Sequence, residues 1–191
     1  MSYRTWLGAT LLPLLLAACA TVTVPDTPPD MRPSARLQLH LSPAALGQSI
    51  SLQQHLTVER AGRTDQLDTA LEIDADHLDL VGLAFGQRVM SLRYDGRQLQ
   101  VWRHPMLPSQ VQGEDVLQDV QLTLWPVDAI RQALPEGWEL RESNGQRTLL
   151  LRDETIAVID YPDRKAWGGK VILENLRYRY KLTIQSVVTS D

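Results

Sequence analysis

The segment SISLQQHLTVERAGRTDQLDTALEIDA, residues 49–75, decides the fold. Its first half places Ile50, Leu52, Leu56 and Val58 on one face, and its second half does the same with Leu67, Thr69, Leu71, Ile73 and Ala75. An apolar residue at every second position is typical of a strand that is buried on one face and solvated on the other. The turn residues Ala61-Gly62-Arg63 lie between the two halves, so the segment predicts a β-hairpin.

The same alternation continues along the chain. Asp95-Gly96 suits the positive backbone angles of a tight turn, and the apolar-rich segments 89–94 and 98–102 flank it. Later stretches with strand character are Trp138–Glu142, Arg147–Leu151, Ile156–Tyr161, Lys170–Glu174 and Arg177–Val188. We therefore expect a long antiparallel sheet.

Helix signals are confined to the middle of the chain. Pro126 can open a helix that ends before Pro135 and Gly137. Residues 115–124 fit a second helix, although Val120, Leu122 and Leu124 also fit a strand; we favour the helix. The fold class predicted for residues 34–191 is thus α+β, with short helices covering one face of the sheet.

The N-terminus has the pattern of an export signal that is followed directly by Cys19, the chain's single cysteine. A basic start, a short apolar run over residues 6–16 and small residues before the cysteine predict a secretory signal peptide over residues 1–18. The run is shorter than the roughly 20 residues that a membrane-spanning helix needs. An ordinary signal peptide with an incidental cysteine is the alternative, and a catalytic thiol is disfavoured because no base is positioned nearby.

Leu16-Ala17-Ala18-Cys19 also resembles a bacterial lipobox. The resemblance implies that the Cys19 thiol receives a diacylglyceryl group and becomes the first residue of the mature protein. Ala20 stands where an inner-membrane retention signal would place Asp, which implies the periplasmic face of the outer membrane. Residues 21–33 are rich in Pro, Thr and Asp and predict a flexible tether. Together with the lipobox resemblance, residues 19–33 are expected to be a lipidated N-terminus and tether.

Composition argues against nucleic acid as a partner and against disulfides in the domain. The net charge of −4 gives no electrostatic footprint for nucleic acid. Because no cysteine follows Cys19, the domain has to be stable in an oxidising compartment without disulfides. We expect a monomer.

The sequence shows little that could carry catalysis. Four histidines are scattered, and the motifs of nucleophilic, phosphate-binding and zinc-dependent enzymes are missing. Asp74, Asp76 and Asp79 around His77 could bind a hard cation, but a solvated turn is favoured because the cluster lacks the glycine and the final glutamate of a calcium loop. We therefore predict a non-enzymatic protein without cofactor or metal.

The segment VGLAFGQRV, residues 81–89, contains the only phenylalanine of the chain. Leu83, Phe85 and Gly86 could form an exposed apolar loop tip, which would mark a contact with a membrane or a partner. Alternatively, the segment is a strand end whose apolar residues join the core.

The order of these segments resembles the LolA/LolB-like group of envelope proteins. In the outer-membrane receptors of this group a protruding leucine followed by glycine helps to place lipoproteins in the membrane, and Phe85-Gly86 occupies the matching place. The segments that continue the likeness are WPVDAIRQAL (residues 125–134), TIAVIDY (155–161) and KVILENLRYRYKLTIQSV (170–187). QLTLWP and the tyrosine-rich last strand are similar to a family of uncharacterised bacterial lipoproteins often associated with aryl polyene lipid gene clusters.

The resemblance implies a curved antiparallel sheet, an incomplete β-barrel, with helices across its open side. It further implies an apolar cavity for acyl chains, lined here by Leu67, Leu71, Ile73, Met90 and Leu92. The same residues would equally form a filled core. Two departures from the group are Phe in place of Leu at the loop tip and no clear helix over residues 34–47.

Two functional hypotheses follow. The first is an outer-membrane lipoprotein that binds an apolar acyl or polyene ligand, receives it from a LolA-like periplasmic carrier and assists its insertion. The second is a structural lipoprotein that docks other envelope proteins and carries no lipid.

Overall fold

The computed structural model describes residues 36–189, and within them ten strands form one antiparallel sheet. The elements are β1 (Ile50–Arg60), β2 (Arg63–Ile73), β3 (Leu78–Ala84), β4 (Gln87–Tyr94), β5 (Leu99–Arg103), α1 (Gly113–Leu124), α2 (Val127–Ala133), β6 (Trp138–Ser143), β7 (Gln146–Leu151), β8 (Glu154–Asp160), β9 (Gly169–Asn175) and β10 (Tyr180–Val188). The order across the sheet is β5-β4-β3-β2-β1-β10-β9-β8-β7-β6. Because β5 and β6 lie at opposite edges, the curved sheet is open.

The predicted fold class and the predicted first hairpin are confirmed. Leu52 pairs with Leu71 and Leu56 with Leu67, so the apolar positions of β1 and β2 share one face, the inner face. Residues 113–124 form a helix rather than a strand. Before β1, the described part of residues 34–47 is extended except for one 3-10 turn, Pro43–Leu46.

Several strand boundaries differ from the prediction, and two of the differences follow from side-chain hydrogen bonds. β2 ends at Ile73, because the carboxylate of Asp74 accepts hydrogen bonds from the backbone N–H groups of Asp76 and His77 and turns the chain before Ala75 could join the strand. β10 begins at Tyr180 rather than Arg177, because Asn175 Oδ1 accepts a hydrogen bond from the N–H of Tyr178 and closes a turn.

The inner face of the sheet carries the hydrophobic core. Leu71, Leu78 and Tyr94 are fully buried on β2, β3 and β4, and Leu117 and Leu122 of α1 pack over the sheet. The chain before β1 completes the cover with four buried leucines, namely Leu37, Leu39, Leu41 and Leu46.

The buried side chain of Gln121 ties this leading segment to α1. Its amide Nε2 donates to the carbonyl of Leu41 at 2.9 Å, and its Oε1 accepts from the N–H of Leu41 at 3.3 Å. The indole N–H of Trp125 donates to the carbonyl of Ser42 at 3.1 Å. These bonds satisfy backbone groups that would otherwise lie unpaired in the core.

Helix α1 ends where proline forces it to end. Pro126 restricts the preceding residue to extended angles, and Trp125 has φ −70° and ψ 152°. A helix end leaves its last carbonyls without partners inside the helix. Side chains of β7 and of the loop between β8 and β9 supply the missing donors.

Three residues bind these carbonyls. The buried guanidinium of Arg147 on β7 donates from Nη1 to the carbonyls of Leu122 and Trp125, at 2.8 and 2.9 Å. Tyr161 donates its hydroxyl to the carbonyl of Thr123 at 2.8 Å, and the indole of Trp167 donates to that of Leu124 at 3.3 Å. The QLTLWP segment is thereby fixed to the sheet.

Burial decreases along the inner face towards one end of the sheet. The turns after β1, β3 and β9 lie at this end, which we call the open end. There, three inner-face residues are only half-buried, namely Leu56, Leu67 and Leu182. At the opposite end Leu52 and Ile73 are almost completely buried.

Candidate functional site

The turn between β3 and β4 presents an aromatic ring to solvent at the open end. Phe85 is 102% exposed, and Phe85 and Gly86 have φ of +52° and +72°. Two consecutive residues with positive φ in a two-residue hairpin loop are typical of a type I′ turn, which favours Asn-Gly. Positive φ is uncommon for a residue other than glycine, but six other such residues of the described chain share it, so it is the full exposure of the ring that distinguishes Phe85.

Three further exposed apolar residues lie at this end of the sheet. Leu83 on β3 is 38% exposed, Trp102 on β5 is 41% exposed, and Met106 in the loop after β5 is 81% exposed. The start of this loop lies beside β4, because the N–H of His104 donates to the carbonyl of Val89 at 2.9 Å. Leu83, Phe85, Trp102 and Met106 form what we call the exposed apolar patch.

A cation lies within this patch. The guanidinium carbon of Arg88 is 4.6 Å from the centre of the Trp102 ring, a cation–π contact. An exposed patch of aromatic and aliphatic residues beside arginine suits the boundary between lipid headgroups and acyl chains. Sequence reasoning singled out Leu83, Phe85 and Gly86 as a contact loop, which stays a prediction, and it did not single out Trp102 or Met106. The available signal for Met106 was a large apolar residue between Pro105 and Pro108.

The structure divides the predicted cavity-lining residues into two groups. Leu71, Ile73, Met90 and Leu92 are buried, between 0% and 5% exposed. Three of them belong to the core cluster beneath α1. Leu67 is half-buried and lies at the open end beside Leu56. As ligand contacts all five remain predictions.

A row of polar side chains crosses the inner face between these two groups. Thr69 on β2 donates its hydroxyl to Gln54 Oε1 at 3.1 Å, and Gln54 Nε2 donates to Ser186 Oγ at 2.9 Å. Leu52 and Leu71 lie on the buried side of the row, and Leu56 and Leu67 lie on the other side. The row therefore marks where burial along the inner face decreases, although Leu56 and Leu182 still pack against the core cluster.

A carboxyl group of α1 faces this open end. The hydroxyl of Tyr180 on β10 donates to Asp119 Oδ2 at 2.5 Å and accepts from Asn175 Nδ2 at 3.3 Å. Burial raises the pKa of Asp119 from 3.8 to about 7, and the charge of Asp115 also raises it, while the bond from Tyr180 lowers it. Burial likewise raises the pKa of the Tyr180 hydroxyl, which therefore stays a donor.

The raised pKa of Asp119 predicts a pH-dependent stability. Between about pH 4 and pH 7 the folded protein holds this proton and the unfolded chain releases it, so the free energy of unfolding falls as the pH rises through this window. Replacing Asp119 by asparagine should remove this fall. Urea unfolding across the window measures it, with Asp128→Asn, an exposed carboxylate on α2, as the control. Equal slopes for the wild type and Asp119→Asn would contradict the prediction.

The aspartate cluster around His77 forms the turn between β2 and β3. Asp74 Oδ1 accepts backbone hydrogen bonds from Asp76 and His77, both at 2.7 Å, and lies 3.0 Å from His77 Nδ1. These backbone bonds lower the pKa of Asp74. Asp79 instead faces Arg93 at 3.6 Å. The favoured interpretation as a turn agrees with this geometry.

Cys19, the signal peptide and the tether lie outside the described residues. Among residues 36–189, no helix is both long and apolar enough to span a membrane.

The architecture defines the class of protein: an α+β domain with one open antiparallel sheet whose inner face is covered by two helices. The chain belongs to the family DUF3261, described as proteins of unknown function, whose sequence profile matches residues 51–188.

Solved structures offer more distant likenesses. One is a LolA superfamily protein from Nitrosomonas europaea, with 10% identity, a TM-score of 0.40, and 75% of this chain and 87% of that chain covered. Another is a DUF1329 family protein from Desulfovibrio piger, with 12% identity, a TM-score of 0.28, and 73% and 84% covered. No curated protein sequence matches the chain.

Proposed function

We propose that this protein is a non-enzymatic lipoprotein of the outer membrane that binds an apolar acyl or polyene ligand and assists its insertion. Cys19 would anchor it on the periplasmic face, and a LolA-like carrier is the proposed donor. The observation that carries the proposal is Phe85, an exposed aromatic ring held in a turn whose backbone favours asparagine.

The open end offers a path between ligand and membrane. Leu56, Leu67 and Leu182 give a half-buried apolar surface on the inner face, and the exposed apolar patch lies at the same end of the sheet. An apolar chain gains about 0.8 kcal/mol for each methylene removed from water, so a surface of this kind favours its burial. The patch would keep that surface close to the bilayer.

Probe binding tests this surface. We expect the wild type to bind the fluorescent apolar dye N-phenyl-1-naphthylamine and palmitate to displace it. Leu67→Glu should weaken dye binding about tenfold or more, since an ionised carboxylate in an apolar site is unfavourable. Val187→Glu is the matched control, because Val187 is 67% exposed and opposes Gln53 on the outer face of the sheet. Equal losses in two folded variants would contradict a site on the inner face.

The anchor has its own test. Replacing Cys19 by alanine should abolish incorporation of labelled fatty acid and release the protein from the membrane or stall its processing. Unchanged fatty-acid labelling of Cys19→Ala would contradict the proposal that Cys19 is the lipidated residue.

A docking role is the second candidate. It is favoured by the edge strand β5, which ends the sheet and exposes Val101 and Trp102, at 37% and 41%. An edge strand with exposed apolar residues can pair with another chain. This role predicts that a folded protein binds no apolar probe, and that a photo-crosslinker at Gln100 yields one discrete product with an envelope protein.

A further inference from the structure

The tips of the two central hairpins at the open end carry arginines without acidic partners. Arg60 and Arg63 oppose each other across the turn between β1 and β2, and Arg60 also opposes Tyr180 on β10. Arg179 stands beside Tyr180 in the neighbouring turn. All four residues line one cleft of about 510 Å³, and Glu59, Glu174 and Lys181 also line it.

The alternation of the strands sorts the charges of this cleft onto two faces. On the outer face, Lys181 is 3.2 Å from Glu59 and opposes Glu174, so its charge is compensated. On the inner face stand Arg60, Arg63 and Tyr180. Within residues 36–189, Arg60, Arg63 and Arg179 form no ion pair.

Like charges placed directly opposite each other destabilise a strand pair. A hairpin that retains this arrangement without a carboxylate partner has a ready place for an external anion, and guanidinium groups match the geometry of phosphate and carboxylate. Two acidic groups lie near this face. Asp65 is two residues beyond Arg63 on the same face of β2, and Asp119 of α1 accepts a hydrogen bond from the hydroxyl of Tyr180.

The next rows along the inner face are mostly apolar, although Asp65 opposes Val58 in the first of them. Val58 and Leu182 oppose each other one step inward from Arg60 and Tyr180, and Leu56 follows. The surface therefore changes from cationic at the rim to apolar inside. An amphiphile with one anionic headgroup and one alkyl chain matches both parts.

We infer that the ligand of the open end is an anionic amphiphile, whose phosphate or carboxylate headgroup binds Arg60, Arg63 and Arg179 while its chain lies along the inner face. This inference rests on the proposed function and adds the class of headgroup. The headgroup site lies on the central hairpins, apart from the exposed apolar patch around Phe85.

Two amphiphiles with the same chain test the inference. The full chain carrying Cys19→Ala is titrated with dodecyl phosphate, with dodecyl maltoside and with inorganic phosphate, with both amphiphiles below their critical micelle concentrations. We expect dodecyl phosphate to bind about tenfold more tightly than dodecyl maltoside, as charge-assisted hydrogen bonds would give. Inorganic phosphate alone should not compete.

Paired substitutions assign the preference to the arginines. In Arg60→Gln/Arg63→Gln the preference should shrink to about twofold or less while dodecyl maltoside binds as before. Arg93→Gln/Arg97→Gln, the same charge change at the opposite end of the sheet, should retain it.

Three results would overturn the inference. They are equal binding of both amphiphiles by the wild type, an undiminished preference in Arg60→Gln/Arg63→Gln, and competition by inorganic phosphate as strong as that by dodecyl phosphate. Equal binding of both amphiphiles leaves the proposed function standing. Failure to bind either amphiphile removes the inference and the proposed function together.

Discussion

Replacing Arg147 by alanine should lower the free energy of unfolding by about 3 kcal/mol, the largest loss of stability that we expect from removing one polar side chain. The guanidinium is buried and donates to the carbonyls of Leu122 and Trp125. Alanine would leave both carbonyls buried without their donor at the end of α1. It would also remove a positive charge from the end of a helix where the dipole favours one.

Urea unfolding followed by circular dichroism measures this loss. A domain of this size has a total stability of about 5–15 kcal/mol, so the variant should melt about 10 °C lower. Arg141→Ala is the control, because this arginine is 55% exposed and donates to Glu139 on the surface, so its removal should change the stability little. Similar losses in both variants would show that the carbonyl contacts do not hold α1.

Replacing Phe85 by asparagine should separate stability from function. Asparagine followed by glycine is the favoured pair for this turn, so the melting temperature should stay the same or rise. Loss of the ring removes about 1.5–3 kcal/mol of apolar transfer into a membrane, so association with lipid vesicles should fall at least about tenfold.

Co-sedimentation with phospholipid vesicles, in the Cys19→Ala background, measures this association. Val187→Asn supplies the control, because it removes an exposed apolar residue from the outer face of β10. If Phe85→Asn were destabilised while vesicle binding persisted, Phe85 would serve the turn and the membrane-contact proposal would fail.

Period-two patterning was sufficient to predict the sheet. Residues such as Leu52 and Leu71 alternate with polar neighbours, and one face of each strand is buried. The bounds of β2 and β10 were harder to predict, since they depend on hydrogen bonds made by the side chains of Asp74 and Asn175. Such local bonds compete with strand pairing and leave no periodic signal.

The contacts of the QLTLWP segment could not be predicted from sequence either. In the sequence, Arg147 looks like an ordinary polar residue of a strand. In the structure it is 6% exposed and donates a hydrogen bond to a carbonyl of α1, a helix that ends more than twenty positions earlier. Only the tertiary fold brings these groups together. The unpartnered arginines at the open end similarly depend on the register of β1 with β2 and β10.

The apolar-ligand claim is tested most directly by mass spectrometry of organic extracts of the protein purified from its native envelope. The comparison uses the Cys19→Ala protein, which removes the covalent lipid, and the same protein with Leu67→Glu added. We predict a stoichiometric, non-covalent apolar species that persists in Cys19→Ala and is lost with Leu67→Glu. An extract that contains only the covalent lipid of the wild type would contradict the claim and favour the docking role.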